Sequence, residues 1–398
     1  MTVTAIAAPA LAGAGAKIRL ASLDVLRGLA VAGMILVTSP GDWDKYYAQL
    51  KHAAWNGWTL ADMVAPGFLF GIGLAIALSF PRMAADPAAA ARQIGRRALS
   101  LILLGLFLNA LPAFDLAHLR LPGILQRIAL CYALVAGLCL LTRRQGADGA
   151  PALNLGAVAG AIAVLLLGSW AALVWIPVPG FGPGQLDPDG NLFAWIDRQV
   201  FTVPHLWPYG TNAAGLVTYD PDGLPSTLPA SANVAMGVLA GAFLKRTDRK
   251  SVLLTVGLAL MGTGLALDPV LPINKRLWTA SFALFSGGFS LTTLMLLSAL
   301  LDRPAVHPGW SAAAYPCRVL GGNAILAFSL SQVLDALGGL PLIPTTEGPL
   351  TPQAWGYRLV GRVVTEPYLA SFICALGILA LIIALLVPLH RRGLHVRL

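Results

Sequence analysis

Charged residues are scarce in this chain. Asp, Glu, Lys and Arg together make up 11% of its 398 residues, whereas a soluble domain usually contains about 25%. The polar residues that are present fall in clumps, so the expected helices lack the polar stripe that a helix of a soluble protein turns toward water. Composition therefore argues against a soluble enzyme, and the hydrophobic share of 57% favours a membrane protein.

Cysteine is also scarce, with four residues in the whole chain. Cys131, Cys139, Cys317 and Cys374 lie in or beside apolar runs and lack the spacing of metal ligands. We interpret them as small core residues, and we expect neither a disulfide framework nor a metal site. The formal charge of +9 does not indicate a nucleic-acid partner, because no basic face with base-stacking aromatics accompanies it.

The sequence does contain a series of long apolar runs. A hydrocarbon core about 30 Å thick requires about 20 apolar residues per helix, and backbone groups in lipid must pair within their own segment. We therefore predict an all-α polytopic integral membrane protein with about ten transmembrane helices in contact with a lipid bilayer. The predicted spans are residues 22–38, 62–80, 98–112, 123–141, 153–176, 229–243, 252–267, 278–301, 319–337 and 368–389.

Two further segments complete the predicted organisation. Residues 1–17 are expected to form a flexible N-terminal leader rather than a cleaved signal peptide, because no basic segment precedes the apolar run. Residues 18–398 form a single transmembrane domain, in which the loop 177–228 is the longest stretch outside the bilayer. Its carboxylates and aromatics suit a cover over a polar substrate, and its aromatics equally suit a belt at the membrane interface.

Basic residues predict the orientation of the chain. With the N-terminus inside, 18 of the 27 Lys and Arg residues fall on cytoplasmic segments. An excess of Lys and Arg on cytoplasmic loops is the usual pattern of membrane proteins. We therefore expect a multi-pass protein of the cell inner membrane with both termini in the cytoplasm. The polar segment 51–62 and the loop 177–228 then lie on the opposite, outer side.

The first span begins with a charged pair. Asp24 in the first turn suits the helix dipole, and Arg27 lies three residues later on the same face, where the two can pair. One interpretation is a helix start with a basic cytoplasmic anchor. The other is a site at the cytoplasmic mouth that binds an anionic ligand, and the spacing leaves both open.

The densest polar cluster lies in residues 51–62, at the start of the second span. It contains an imidazole, a carboxylate, an amide, a hydroxyl and two indoles. His52 can accept a proton near neutral pH, and a carboxylate such as Asp62 would orient its ring and stabilise the resulting cation. Alternatively, Thr59 or Asp62 caps the helix, and the indoles anchor it at the membrane interface.

Four shorter polar insertions interrupt the ends of other spans. Each one alone fits a helix cap or a snorkelling anchor. Three of the four lie on the side of His52, so together they predict a polar chamber that opens outward between the helices. The insertions are Gln126-Arg127, Ser226-Thr227, Asn274-Lys275-Arg276 and Gly321-Gly322-Asn323.

Six sequence blocks follow one another along nearly the whole chain, at residues 19–28, 52–70, 121–129, 220–229, 272–279 and 322–323. In content and order they resemble the bacterial members of the heparan-alpha-glucosaminide N-acetyltransferase family, which are transmembrane acyltransferases. Such a set is more specific than any single motif. One departure concerns the end of the first helix, where the family commonly has Val-Asn and this chain has Thr38 after Val37.

The resemblance implies an enzyme that moves an acetyl group from cytoplasmic acetyl-CoA to an amino sugar of the glucosamine type on the outer side. His52 in the His-Ala-Ala-Trp-Asn-Gly motif matches the essential histidine of the family. It would act as general base or as acyl relay. Asp62 or Asp24 would orient it or balance its charge.

The same reading gives roles to the other polar residues. The oxyanion of the reaction needs a donor, for which Asn56, Thr38 and Lys275 are the candidates. Cations must hold the phosphates of the donor on the cytoplasmic side. The residues expected around the donor are Asp24, Arg27, Thr38, Arg96 and Arg97, and those expected around the acceptor are Gln126, Arg127, Ser226, Thr227, Asn274 and Lys275.

Other functions remain open at this stage. A transporter of a sugar or sugar fragment uses polar residues at broken helices equally well, although the two halves of the chain show no convincing repeat. An O-acetyltransferase of a cell-surface glycan would differ only in the acceptor. Direct transfer and an acetyl-histidine relay are both compatible with these residues. The protein could also form a homodimer.

Overall fold

The computed structural model describes residues 20–146, 149–244, 250–303, 305–346 and 348–394. The predicted leader, residues 1–17, lies outside the described residues. Within them most of the chain is helical, and its two short strands pair in one antiparallel ribbon with Arg144 opposite Ala152. The predicted all-α class is therefore confirmed.

The α-helices are numbered in chain order, and short 3₁₀ turns at Ala48–Leu50, Leu60–Met63, Leu116–His118 and Val203–His205 lie between them. The helices are α1 (Ala21–Thr38), α2 (Val64–Met83), α3 (Pro87–Ala110), α4 (Ile124–Leu141), α5 (Leu155–Trp175), α6 (Leu192–Phe201), α7 (Leu224–Leu244), α8 (Lys250–Leu267), α9 (Ala280–Leu301), α10 (Pro308–Ala313), α11 (Tyr315–Gly322), α12 (Ala324–Gly338), α13 (Pro352–Gly361) and α14 (Pro367–Arg391). The strands are β1 (Arg144–Gln145) and β2 (Pro151–Ala152).

Eight described helices are long and apolar enough to cross a membrane, and a bent pair raises the number to nine if it counts as one span. The eight are α1, α2 with the turn before it, α4, α5, α7, α8, α9 and α14. We call the end of this bundle that carries the loop 39–59, between α1 and α2, the upper end, and the opposite end the lower end. Of the ten predicted spans, only the third and the ninth differ from this set.

The ninth predicted span, residues 319–337, is not one straight helix. The chain bends by 81° between α11 and α12. The bend occurs at Asn323, whose backbone leaves the helical region and whose side-chain amide donates to Leu394 O at 3.3 Å. α11 instead lies in backbone contact with α1, since a Cβ on Gly28 would come within 1.9 Å of Cys317 O.

The third predicted span forms only the second half of α3. Three arginines, Arg92, Arg96 and Arg97, occupy the first half, so the whole helix is more polar than a typical span. Its connections still carry the chain from one end of the bundle to the other. α2 ends just before it at the lower end, and the segment after it returns to the upper end, where Leu121 N donates to His205 O at 3.0 Å.

α2 and α7 form the centre of the bundle. A Cβ on Gly73 would lie 1.9 Å from Val234 O, and one on Gly237 would lie 2.1 Å from Phe70 O, so the two backbones touch. Small residues commonly allow such close approach between helices in membranes. Because the two helices pack this tightly, the segments that precede them at the upper end are held on a rigid support.

Candidate active site

His52 and Asp62 meet at the upper end of the bundle. Asp62 lies in the 3₁₀ turn that leads into α2, and with Thr59 it forms a capping box that satisfies the first backbone donors of this turn. The capping interpretation is thus confirmed. The same carboxylate also contacts the imidazole, because His52 Nδ1 lies 2.8 Å from Asp62 Oδ1.

Asp62 holds the ring from a fixed position. Its side chain is 1% exposed, and its Oδ2 accepts from the backbone amides of Ala53 at 3.1 Å and Thr59 at 3.0 Å. An ionised carboxylate only accepts hydrogen bonds, so the pair is consistent with Nδ1–H donating to Asp62 Oδ1, which leaves Nε2 as the acceptor atom of the ring. His52 itself is 32% exposed, so a ligand at the upper end can reach the ring.

Lys275 completes a three-residue cluster. It lies between α8 and α9, and its Nζ is 3.0 Å from His52 Nδ1, 3.2 Å from His52 Nε2 and 3.4 Å from Asp62 Oδ1. Burial lowers the pKa of Lys275 to about 8, against the opposing effect of Asp62. Burial and then the charge of Lys275 lower the pKa of His52 from 6.5 to about 4, although the hydrogen bond with Asp62 raises it. The ring is therefore neutral at pH 7.

Hydrogen bonds join the two loops that carry this cluster. Asn274 Nδ2 donates to Asn56 Oδ1 at 3.0 Å, and Gly57 N donates to Ile273 O at 2.7 Å. Asn274 Oδ1 accepts from the backbone of its own loop as well. Asn56, a predicted oxyanion donor, and Asn274, predicted to lie around the acceptor, thus hold the loop of His52 against the loop of Lys275.

A second cluster of charges lies where α4 and α7 begin. Arg127 Nη2 donates to Ser226 Oγ at 2.5 Å, and its Nη1 lies 3.4 Å from Asp222 Oδ1. Arg120 bonds both carboxylates of the Asp-Pro-Asp segment, Asp220 at 2.6 Å and Asp222 at 3.1 Å. Burial would raise the pKa of Asp222, but the charges of Arg127 and Arg120 outweigh it and lower the value.

Sequence reasoning did not select Arg120, Asp220 or Asp222 as site residues. Their only signals were the block 220–229 and the general richness of the loop 177–228 in carboxylates. Asp197 was also missed. Its Oδ1 accepts from Leu224 N at the start of α7 at 2.8 Å, and burial raises its pKa to about 7.

The loop before α7 packs over the loop of His52. Trp55 Nε1 donates to Leu186 O at 2.8 Å, and the Trp55 ring lies 4.8 Å from that of Tyr219. Arg276 lies over the rings of Tyr219 and Trp207, at 5.9 and 5.4 Å from their centroids. Two of these loop aromatics therefore belong to a rim around the site, as the interpretation of a cover requires.

An apolar cavity extends from this region into the bundle. It lies between α1, α2, α4 and α12, and Met34, Phe68 and Phe328 are among the residues that line it. Of its described lining residues only Arg127 and Asp222 are charged or polar. Both lie at the upper end, so the cavity joins an apolar interior to the charged cluster at the start of α4.

Two of the predicted phosphate-binding arginines lie below this cavity. Arg27 is one helical turn below the lining residue Ala30. Its side chain packs against Gly71, where an added Cβ would lie 3.1 Å from Arg27 Cγ. The Arg97 guanidinium lies 4.8 Å from the ring centroid of Tyr132, one turn below the lining residue Ile128. Arg96 is exposed beside Arg97, and Asp24 is half-buried in the first turn of α1.

Three other predicted residues bond to nearby backbone. Thr38 donates to Met34 O at 3.0 Å within α1, and Thr227 donates to Gly223 O at 2.8 Å. Gln126 is buried and donates to Leu121 O at 3.2 Å. Their binding roles remain predictions, and the structure gives each a local partner.

Comparison with known proteins bears directly on this arrangement. The sequence-family model for the catalytic region of heparan-alpha-glucosaminide N-acetyltransferase matches residues 19–259 of this chain. The human protein of that name is 30% identical over 360 residues, which cover 80% of this chain and 53% of the relative. The mouse protein is 28% identical over the same length and is covered to 54%.

This chain spans about half the length of these curated relatives. The matched region contains His52, Asp62, Arg127 and Asp222, and it ends before Lys275. The matched residues agree with the family suggested by the six sequence blocks. The chain belongs to the heparan-alpha-glucosaminide N-acetyltransferase family.

Proposed function

We propose that this protein is a transmembrane acetyltransferase that uses acetyl-CoA to acetylate the amine of a glucosamine-type sugar. The observation that carries the proposal is the cluster of His52, Asp62 and Lys275 at the upper end of a bundle whose interior contains an apolar cavity. The relatives are named as N-acetyltransferases of a glucosaminide, which supports this acceptor class, and the apolar lining of the cavity suits the arm of the donor.

The donor would lie along the axis of the bundle. Its nucleotide carries several negative charges, and Arg27 and Arg97 provide cations below the cavity. Its pantetheine arm is long and only moderately polar, which suits the apolar lining of the cavity. The thioester would then reach the upper end, where the imidazole of His52 can meet an acceptor.

The residues of the cluster suit the chemistry of the transfer. The lone pair of the acceptor amine forms the new N–C bond at the thioester carbonyl, and the C–S bond breaks. His52 Nε2 accepts the proton that leaves the nitrogen and returns it to the sulfur, so free CoA and the amide are the products. Asp62 stabilises the imidazolium that forms in between. An acetyl-histidine relay uses the same atoms with Nε2 as the first nucleophile.

The proposal includes a direction across the membrane. The lower end would face the cytoplasm and the upper end the outer side of the inner membrane, with both termini cytoplasmic. The distribution of Lys and Arg supports this direction. Cytoplasmic acetyl-CoA and an outer amino sugar would thus meet through the bundle without either crossing it.

A direct assay tests the proposal. The purified protein in lipid nanodiscs is given acetyl-CoA and glucosamine, and free thiol and N-acetylglucosamine are measured together. We expect His52→Ala to reduce turnover at least about 10²-fold while CoA binding persists. The matched control is His118→Ala, because His118 also pairs with an aspartate, at 2.7 Å from Asp115, but is exposed.

Three results would contradict the proposal in different ways. Sugar uptake by the same protein in proteoliposomes, without release of thiol, would favour a transporter. Thiol release with an ester product would favour an O-acetyltransferase. Equal turnover in the wild type and in His52→Ala would remove His52 from the chemistry.

A further inference from the structure

Arg127 carries a buried hydrogen-bond donor without an acceptor. Its side chain is 3% exposed, and its Nε–H has no partner among the residues that the structure describes. A buried donor left unpaired destabilises the folded protein. A ligand that brings an oxygen atom to this position would recover that energy.

The rest of the guanidinium is fixed on three sides. Its Nη2 donates to Ser226 and its Nη1 contacts Asp222. Its Cζ lies over the ring of Trp278, 5.0 Å from the ring centroid. Arg120 in turn holds Asp222 at 3.1 Å. Because these contacts use the terminal nitrogens, Nε is the guanidinium nitrogen left without a partner among the described residues, and its position is set before any ligand binds.

The location of Arg127 indicates which oxygen it meets. It lies in the first turn of α4 and lines the apolar cavity at its upper end. A thioester arm that enters from the lower end would bring its acyl carbonyl, rather than the amide groups behind it, to this point. Two other predicted donors near the upper end have partners already, since Thr38 donates to Met34 O and Lys275 contacts His52.

We propose that Arg127 Nε–H donates to the carbonyl oxygen of the bound thioester and stabilises the negative charge that forms on it during acetyl transfer. This inference rests on the acetyltransferase function proposed above. When the amine lone pair forms the N–C bond, the carbonyl π electrons move to oxygen, and they return when the C–S bond breaks. Arg127 keeps its proton throughout, so it is an electrostatic group and not an acid.

Two ligands that differ at the carbonyl test the contact. Acetyl-CoA is compared with S-ethyl-CoA, a thioether of the same length that lacks the carbonyl oxygen. Binding is measured in nanodiscs in a His52→Ala background, which prevents turnover. A hydrogen bond to a charged group is worth about 1.5–3 kcal/mol, so we expect acetyl-CoA to bind about 10- to 100-fold more tightly. Arg127→Lys and Arg127→Gln should reduce this preference to about twofold or less.

Turnover provides a second readout with His52 present. Loss of one donor to an oxyanion typically lowers kcat about 10²- to 10³-fold, and we expect this for both Arg127 variants. The matched control is Arg276→Gln, because Arg276 is another arginine of the upper end but stacks on Tyr219 and Trp207 outside the cavity lining. It should retain the preference for acetyl-CoA.

The possible results distinguish a failure of the Arg127 contact from a failure of the proposed acetyltransferase function. Equal binding of the two ligands by the parent protein would overturn the contact, whether or not the variants fold. If Arg127→Lys weakens the binding of both ligands equally, Arg127 contacts the pantetheine arm or stabilises the fold, and it does not contact the carbonyl. A wild-type protein that binds acetyl-CoA but transfers nothing would instead reject the acetyltransferase function.

Discussion

Replacement of Lys275 by methionine should move the acid limb of the pH–rate profile to higher pH. The Lys275 Nζ lies 3.0 Å from the imidazole of His52, and its positive charge disfavours a second positive charge there. Two unit charges 4 Å apart interact by about 1 kcal/mol in water and about 4 kcal/mol at an effective dielectric of 20, and about 1.4 kcal/mol equals one pH unit. The ring is 32% exposed, so the lower figure applies.

The direction and size follow from the causes of the present value. The pKa of His52 falls from 6.5 to about 4, with burial as the larger cause and Lys275 as the second. We therefore expect removal of the lysine charge to raise the pKa by about one unit. Because the base must be neutral to accept a proton, kcat/KM should begin to fall at a pH about one unit higher than in the wild type.

The assay is kcat/KM for the amine between pH 4 and 8, at saturating acetyl-CoA, for the wild type and Lys275→Met. Arg276→Met is the control, because the charge of Arg276 is the weakest of the named influences on the pKa of His52 and should displace the limb less. An acid limb at the same pH in Lys275→Met would refute the electrostatic role. A displacement toward lower pH would reverse its sign.

Three further perturbations test the remaining parts. Asp62→Asn should lower kcat at least about 10²-fold, because an amide can present the wrong atom to His52 Nδ1, and the variant should still bind CoA; unchanged kcat would exclude the orienting role. Arg27→Ala should raise the KM for acetyl-CoA more than that for the amine; if both change together and a double-mutant cycle with Asp24 shows coupling in Tm, Arg27 is structural. A single cysteine near Gly41, at the exposed Lys45, in a background without the native cysteines, should react with an impermeant reagent in intact cells; protection there, with labelling near Leu398, would invert the topology.

Composition was enough to predict the fold class, because the low charge content and the long apolar runs have no other common explanation. The places where the spans differ depend on contacts between distant segments. The bend at Asn323 accompanies the packing of α11 on α1 at Gly28, and an apolar run shows no sign of a partner that lies about 290 residues away. The arginines of α3 interrupt the apolar run, so the sequence indicates only the second half of this helix as a span. The connections before and after α3 nevertheless require it to run the full length of the bundle.

The candidate site was predictable where its residues are close in the sequence. His52 and Asp62 lie ten residues apart in one polar cluster, and the structure pairs them. Arg120 and Asp220 lie 100 residues apart, and neither position belongs to a periodic pattern that would link them. Arg127 was visible as a polar insertion, but its unpaired Nε–H becomes apparent only when the partners of its other nitrogens are known.

The contacts of Asp62 show that its cap and its proposed catalytic role are compatible. Its Oδ2 accepts from Thr59 N and closes the capping box, while its Oδ1 contacts the imidazole. A carboxylate has two oxygens with separate lone pairs, so one group can serve both purposes. The consequence is that the start of α2 fixes the orientation of His52. The helix packing that holds α2 against α7 therefore also determines the geometry of the proposed base, even though Gly73 and Gly237 lie far from His52 in the sequence.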